Sequence, residues 1–243
     1  MSDFFIFLDS QNSIDNSGNP ADSEFTINLN FDSYSNPYIS LEEICFQNLN
    51  YPINSNYNTI IIEENGTSTI SVNLTQQNYD GNSFATEIAS KLNTASVEGI
   101  TYTCSFDTNT RKLTLSADGA NTYQILTGTS CLRELGLNLP QTAAVNNAEF
   151  PHPVRLDGSH YIDVISNIPV NNISSSGRTN ILARIFLTAP FGSLQTFENS
   201  NTDKIRFNSQ HFSSISLRLV DDRNNLFLLP DNADVSYTLK LTI

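Results

Sequence analysis

No lysine or arginine occurs before Lys91, although residues 1 to 90 carry twelve acidic side chains. With twelve acids and no cation, that stretch supplies −12 of the chain's net charge of −13. Binding to a phosphate backbone depends on clustered Lys and Arg, so nucleic acid is excluded as an expected partner. An acidic interaction face, or solubility, is the use left for such a charge. Long apolar runs are missing too. No stretch approaches the 18 residues of a membrane-spanning helix. "FFIFL" at 4–8 is too short for the apolar part of a secretion signal and follows the acidic Asp3, so synthesis in a cytoplasm is expected.

Residues that do chemistry are also scarce. The three cysteines, Cys45, Cys104 and Cys131, are widely spaced and form no C-x-x-C pair, which argues against a disulfide framework or a zinc site. They read as buried thiols in a reducing compartment. Of the three histidines, His152 and His160 bracket Asp157, and Asp163 follows. Two imidazoles and two carboxylates could ligate a metal if the chain folded back. The spacing matches no ligand pattern, however, and Pro151 and Pro153 hold His152 extended, so surface or partly buried histidines are the expectation. Asp221, Asp222 and Asn225 in "VDDRNN" could offer oxygens to calcium, but Asp and Asn are also default turn residues. There is no G-x-S-x-G and no glycine-rich phosphate cradle, and no pair of acids stands out for glycoside chemistry. No catalytic, cofactor-binding or metal-ligating residue is assigned, and the chain is not expected to be an enzyme.

What the sequence does have is alternation. Phe25, Ile27, Leu29 and Phe31 share one face of "EFTINLNF". Ile215, Leu217 and Leu219 share another, as do Val235, Tyr237, Leu239, Leu241 and Ile243. "FFIFL" is continuously apolar, so both of its faces should be covered. In "ISLEEICF" the phase slips at Glu42–Glu43, which predicts a bulge. Eight strands are predicted, near 3–9, 24–31, 38–48, 160–166, 181–188, 203–208, 213–221 and 233–243.

A gap of about 110 residues follows the third of these, by the usual reading of apolar periodicity. It opens with a hairpin around Asn65–Gly66. A helix is predicted near 82–94, capped by Asn82 or Ser83, with Phe84, Ile88 and Leu92 as its apolar stripe and Glu87 near its first turn. Strands "TYTCSF", "KLTLSA" and "YQIL" follow, then a helical turn that Gly136 ends. Residues 140–158 read as a Pro-rich linker, and "NNISSSGRTN" at 171–180 as a surface loop. The expected division is residues 1–52 and 151–243 for the strand-rich part and 53–150 for an α+β part. Tyr34, Tyr38, Tyr51, Tyr57 and Tyr79 gather in polar loops, where tyrosine can anchor an interface, stack on sugars or seal the rim of a core.

Three segments resemble the minor capsid, or penton, proteins of virophages and polinton-like viruses. They are "IFLDSQNSI…SEFTINL", "ISLEEICFQNLNYPINSNYNTIII", and "ISVNLTQQNYDGNSFATEIASKLN" continuing through "YTCSFDTNTRKLTLS" to "LRELGLN". The resemblance covers about residues 1 to 140; beyond 160 it rests on strand spacing and "ISLRLVDDRNNLF". It implies an all-β fold, an eight-stranded single jelly roll with an α+β insertion between the third and fourth strands. It implies a structural virion protein, a homopentamer at the fivefold vertices of an icosahedral capsid. Its partners would be itself, a double-jelly-roll major capsid protein and, through an outward insertion, a host receptor. The protein would reside in the virion after synthesis in the host cytoplasm. The alternative is a viral receptor- or carbohydrate-binding module on a β-sandwich.

Overall fold

The computed structural model describes residues 3–14, 18–30, 37–170, 177–199, 204–206 and 211–242, and of residues 28–30, 211 and 212 only the backbone. In chain order the strands are β1 (Asp3–Asp9), β2 (Asp22–Asn30), β3 (Tyr38–Gln47), β4 (Thr59–Glu64) and β5 (Ser68–Asn73). Helix α1 (Gly81–Ala95) precedes β6 (Tyr102–Asp107), β7 (Lys112–Ala117) and β8 (Tyr123–Ile125). The short helix α2 (Leu132–Leu135) leads to β9 (Asn147–Glu149), β10 (Tyr161–Ser166), β11 (Ile181–Phe186) and β12 (Leu194–Glu198). The last strands are β13 (Ile205–Arg206), β14 (His211–Asp221) and β15 (Val235–Thr242). The chain divides into two compact units: Met1–Asn50 with Ser159–Ile243, and Tyr51–Gly158.

The first unit is a sandwich of two antiparallel sheets, a fold of the jelly-roll kind. One sheet runs β1-β15-β3-β12, with β13 also on β3; the other runs β11-β10-β14-β2. The predicted alternation is why these strands pack. Ile39, Leu41, Ile44 and Phe46 of β3 join Ile162 and Val164 of β10, and Ile215, Leu217 and Leu219 of β14, in one buried cluster. Val235, Tyr237, Leu239 and Leu241 of β15 complete it. Phe25 of β2 is buried with them and Ile27 packs at the margin. The remaining members of the predicted β2 and β15 stripes, the Leu29 side chain, Phe31 and Ile243, lie outside the described residues. The phase slip in β3 is a bulge: Glu43 opposes Thr238 and Leu41 opposes Leu239, so Glu42 is the extra residue. That extra residue lets both Leu41 and Ile44 point into the core.

Among the described residues this unit has nine strands, one more than the sequence predicts. The unpredicted one is β12. Its inward position is taken by Gln195, a polar residue whose Oε1 accepts the Thr188 and Ala189 N–H groups at 3.0 Å each. A buried glutamine breaks the apolar alternation that marks a strand. β12 and β13 lie end to end along β3: Leu194–Glu198 oppose Gln47–Glu43, and Ile205–Arg206 oppose Ile39–Tyr38.

The unit Tyr51–Gly158 has its own core. Sheets β5-β4-β8 and β6-β7-β9 are each antiparallel, and α1 packs on β6 and β5. The helix buries Phe84, Ala85, Ile88 and Leu92, the predicted stripe. Its cap differs from the prediction. Asp80, not Asn82 or Ser83, accepts the Ser83 N–H at 2.7 Å, while the Ser83 hydroxyl returns to the Asp80 backbone in a reciprocal box. Glu87 is not spent on the helix dipole either; its Oε1 accepts the Thr75 N–H at 2.9 Å.

Residues 140–158 are not a free linker. Their strand β9 pairs with β7, Phe150 is buried and donates its N–H to Leu113, and Val154 donates to Arg111. The division therefore falls after Gly158 rather than at 150, because these apolar side chains belong to the core of this unit. The unit's two chain ends meet: a Cβ built on Gly158 would sit 4.0 Å from Pro52 Cγ.

Gly136 closes α2 in the left-handed region, with φ of 84°. A Cβ there would collide with the His152 carbonyl, whose own N–H donates to the Gly136 carbonyl. Gly136→Ala is expected to destabilise this unit by about 2 kcal/mol, the left-handed penalty plus displacement of the 150–154 segment. Chemical denaturation checks this; a loss below about 0.5 kcal/mol would show the segment yields freely.

Candidate interaction surface

The side chains that could have carried chemistry are structural. His152 is exposed in the middle unit, with Nε2 2.9 Å from Asn138 Nδ2, while His160 belongs to the sandwich and gives its carbonyl to Leu187. Asp163 lies fully buried in β10. Its carboxylate accepts from Arg178 Nη1 at 2.6 Å and from Arg184 Nε and Nη2 at 2.7 and 3.0 Å. This carboxylate is saturated by guanidinium groups and is no metal ligand. Asp163 in turn holds the Arg184 guanidinium above its usual pKa, and Arg184 also stacks 4.0 Å from the Tyr161 ring centroid. Asp221 serves its own turn: its Oδ1 accepts the Arg223 and Asn225 N–H groups at 2.9 and 2.8 Å. That is the turn reading of "VDDRNN". Among the described residues, no three His, Cys, Asp or Glu side chains converge as metal ligands.

The loop tyrosines divide. Tyr57 and Tyr79 are core residues; the Tyr79 hydroxyl donates to the Thr75 carbonyl at 2.8 Å, and burial pushes its pKa up to about 12. They are not available to stack on a sugar. Tyr38 begins β3, Tyr51 is half-buried where the middle unit begins, and Tyr34 lies outside the described residues. Burial raises the Cys104 thiol to about 12, raises that of Cys45, and encloses Cys131. All three thiols are expected to resist a disulfide reagent at pH 8 and to react once the chain is unfolded, because thiolate is the reactive form. Fast labelling of Cys104 in the native protein would contradict its enclosure.

The unusual surface is apolar and lies at the edges of the sandwich. β1 ends its sheet, paired only with β15 among the described residues. Phe5 and Phe7 point away from the core, 53% and 77% exposed, with ring centroids 6.5 Å apart. Phe4 is half-exposed at the same edge, and Ile14 is exposed just beyond it. Phe7, Leu8, Ile14, Phe25 and Tyr237 line an open groove of about 430 Å³ beside them. The expectation that both faces of "FFIFL" are covered is overturned within one chain: Phe5 and Phe7 stay largely exposed, with Lys240 Nζ 5.5 Å from the Phe5 ring.

Further exposed apolar side chains lie at the far ends of both strand orders. Phe186 of β11 and Leu194 of β12 are 66% and 62% exposed, and Phe191 lies in the turn that joins them. The turn is held in place: Leu187 donates to His160, Thr188 and Ala189 donate to Gln195, and Gly192 donates to Asn48.

The mavirus penton protein matches with a TM-score of 0.49 and 13% identity, covering 98% of this chain and 99% of that one. A chain of the Sputnik virophage structure matches with a TM-score of 0.40 and 16% identity, covering 98% and 97%. No family model and no curated protein matches the sequence.

Neither edge patch stands out in the sequence. "FFIFL" has the composition of a buried strand, and "FLTAPFGSLQTF" mixes its apolar residues with turn residues. β1 shows an unbroken apolar run where β14 and β15 alternate.

Proposed function

We propose that the chain is a structural virion protein: a minor capsid, or penton, subunit. It closes as a homopentamer at the fivefold vertices of an icosahedral shell and sits against double-jelly-roll major capsid proteins. The observation that carries this reading is the strand order. If β12 and β13 count as one interrupted strand, two four-stranded sheets remain, β1-β15-β3-β12 and β11-β10-β14-β2. The first and last strands are neighbours in one sheet, and the second and next-to-last are neighbours in the other. That nesting is the double Greek key of a single jelly roll.

In this reading, residues Tyr51–Gly158 are an insertion between the third and fourth strands. Support comes from the separate core of that unit and from its adjacent ends at Pro52 and Gly158. The insertion faces outward, where it is free to meet a host receptor, and the protein resides at the capsid vertex after synthesis in the host cytoplasm. The resemblance of residues 1 to 140 to virophage and polinton-like penton proteins points the same way. The saturation of Asp163 and Asp221 by hydrogen bonds leaves those side chains to stability rather than catalysis.

Native mass measurement of the purified protein tests the reading, with five chain masses as the expected result. Particles should then show this fold as density at each fivefold axis. Monomers at every concentration, together with vertices occupied by another protein, would overturn it.

A further inference from the structure

We infer that the hollow between α2 and residues 152–155 is a binding site for a small organic oxyanion: a carboxylate, sulfate or phosphate on a body the size of a sugar ring. The site stands on the middle unit alone. Its use in attaching a particle to a host rests on the reading of that unit as an outward insertion, and names the chemistry of what is met there.

Charge is the first observation. Residues 51–158 carry ten acids against five cations. Lys91 lies 3.7 Å from Glu87, and Lys112 lies 2.9 Å from Glu149. Two of the remaining three cations, Arg133 and Arg155, line one hollow of about 320 Å³ together with His152, the single histidine of the unit. Among the described residues no acidic side chain lines it, and Glu134 is buried in α2. A concave site lined by one sign of charge focuses its field on a ligand of the other sign. Arg133 and Arg155 also interact within the chain. A guanidinium has five N–H donors in a planar fork, so an oxyanion adds to those contacts rather than replacing them.

Donors that the fold leaves over are the second observation. Ser130 Oγ accepts the Thr59 N–H at 3.0 Å, and its own proton meets no acceptor among the described residues. With Asn138 Nδ2 donating to His152 Nε2 at 2.9 Å, the His152 proton sits on Nδ1, again with no acceptor among the described residues. The third observation is that the site is built in advance. Thr129 Oγ1 accepts the Ile61 N–H at 3.0 Å, so Thr129 and Ser130 are both tied to β4. The His152 N–H donates to the Gly136 carbonyl at 3.1 Å and the Arg155 N–H to the Glu134 carbonyl at 3.4 Å, which fasten the opposite wall to α2. Leu132, Leu137 and Pro153 supply an apolar side for a carbon skeleton. The volume falls at the small end of ligand sites and suits a single ring.

The test is saturation-transfer NMR on the full chain with four probes that share one ring: galacturonate, galactose 6-sulfate, galactose 6-phosphate and uncharged galactose. At least one of the three anions should bind, and which one does identifies the oxyanion. Galactose should give no signal. Arg155 and His152 have exposed side chains, so Arg155→Gln and His152→Gln should melt as the parent does. Arg155→Gln is expected to weaken binding by about tenfold or more, the loss of one charge-assisted hydrogen bond. Arg155→Lys should lose less, because it keeps the charge without the fork. Lys112→Gln removes a cation of the same unit outside the hollow and should leave binding unchanged. The site is overturned if galactose binds as well as the anions, or if no anion binds. It is overturned equally if binding survives Arg155→Gln and His152→Gln combined, or falls as far in Lys112→Gln. Anion binding by a chain that is monomeric and absent from vertices upholds the site while the capsid reading fails. A vertex pentamer that binds none of the anions does the reverse.

Discussion

Asp163→Ala is expected to destabilise the sandwich by about 3–5 kcal/mol, the cost of breaking a buried ion pair from one side. The carboxylate is fully buried and receives three charge-assisted hydrogen bonds. The Arg178 side chain is only 3% exposed, so its guanidinium cannot swing to water when its counter-charge is removed. It also bonds to Asn224 Oδ1 at 2.7 Å and to the Asp221 carbonyl. Arg184 is different. It is 38% exposed and re-solvates readily, so its share of the loss is small. The network ties β10 and β11 to the turn after β14, which explains why a sheet interior spends space on charge at all. Asp163→Leu combined with Arg178→Met should recover much of the loss, because a packed apolar pair replaces a costly desolvated one. Urea denaturation of the single and double variants measures both. A single-variant loss under 1 kcal/mol would mean that water reaches Arg178.

The sandwich was legible wherever one face is buried and the other wet. β14 and β15 show strict alternation, and even the β3 bulge is visible as a phase slip, because inserting one residue must flip every side chain beyond it. β12 was illegible for the opposite reason: its inward residue, Gln195, is satisfied by neighbouring backbone N–H groups rather than by apolar contact. The α1 cap was misplaced by two or three residues because Asp80, Asn82 and Ser83 are all competent caps, and only backbone geometry selects Asp80. Residues 140–158 looked like a linker because three prolines suppress periodicity, while Phe150 and Val154 pack regardless. The edge patches were hidden at a deeper level. Composition records that a residue is apolar but not whether its partner lies in the same chain. Asp163 was visible as a carboxylate near histidines, but its partners Arg178 and Arg184 come from 15 and 21 residues further on, and nothing local joins them.

Glu64→Ala is expected to cost the middle unit a similar amount, about 3–5 kcal/mol, by a different mechanism. Glu64 ends β4 and is fully buried, and its side chain bonds to neutral donors. Oε2 accepts the Val97 and Glu98 N–H groups at 3.0 and 3.1 Å, and Oε1 accepts the Tyr102 hydroxyl at 3.1 Å. One side chain therefore fastens strand β4, the segment leaving α1 and the start of β6. Desolvation followed by the neighbouring carboxylate keeps the Tyr102 phenol well above its ordinary pKa, so it stays a donor. Alanine leaves three buried donors without an acceptor, at about 1–3 kcal/mol each, less what water or small shifts restore. Glu64→Gln keeps one oxygen but adds an N–H that faces the other donors, and should fall roughly midway. The diagnostic measurement is amide hydrogen exchange. Val97 and Glu98 should lose protection in Glu64→Ala by more than their neighbours in α1, because Phe84, Ile88 and Leu92 still anchor the helix. Equal loss across α1 would mean that the carboxylate supports the whole unit rather than this joint.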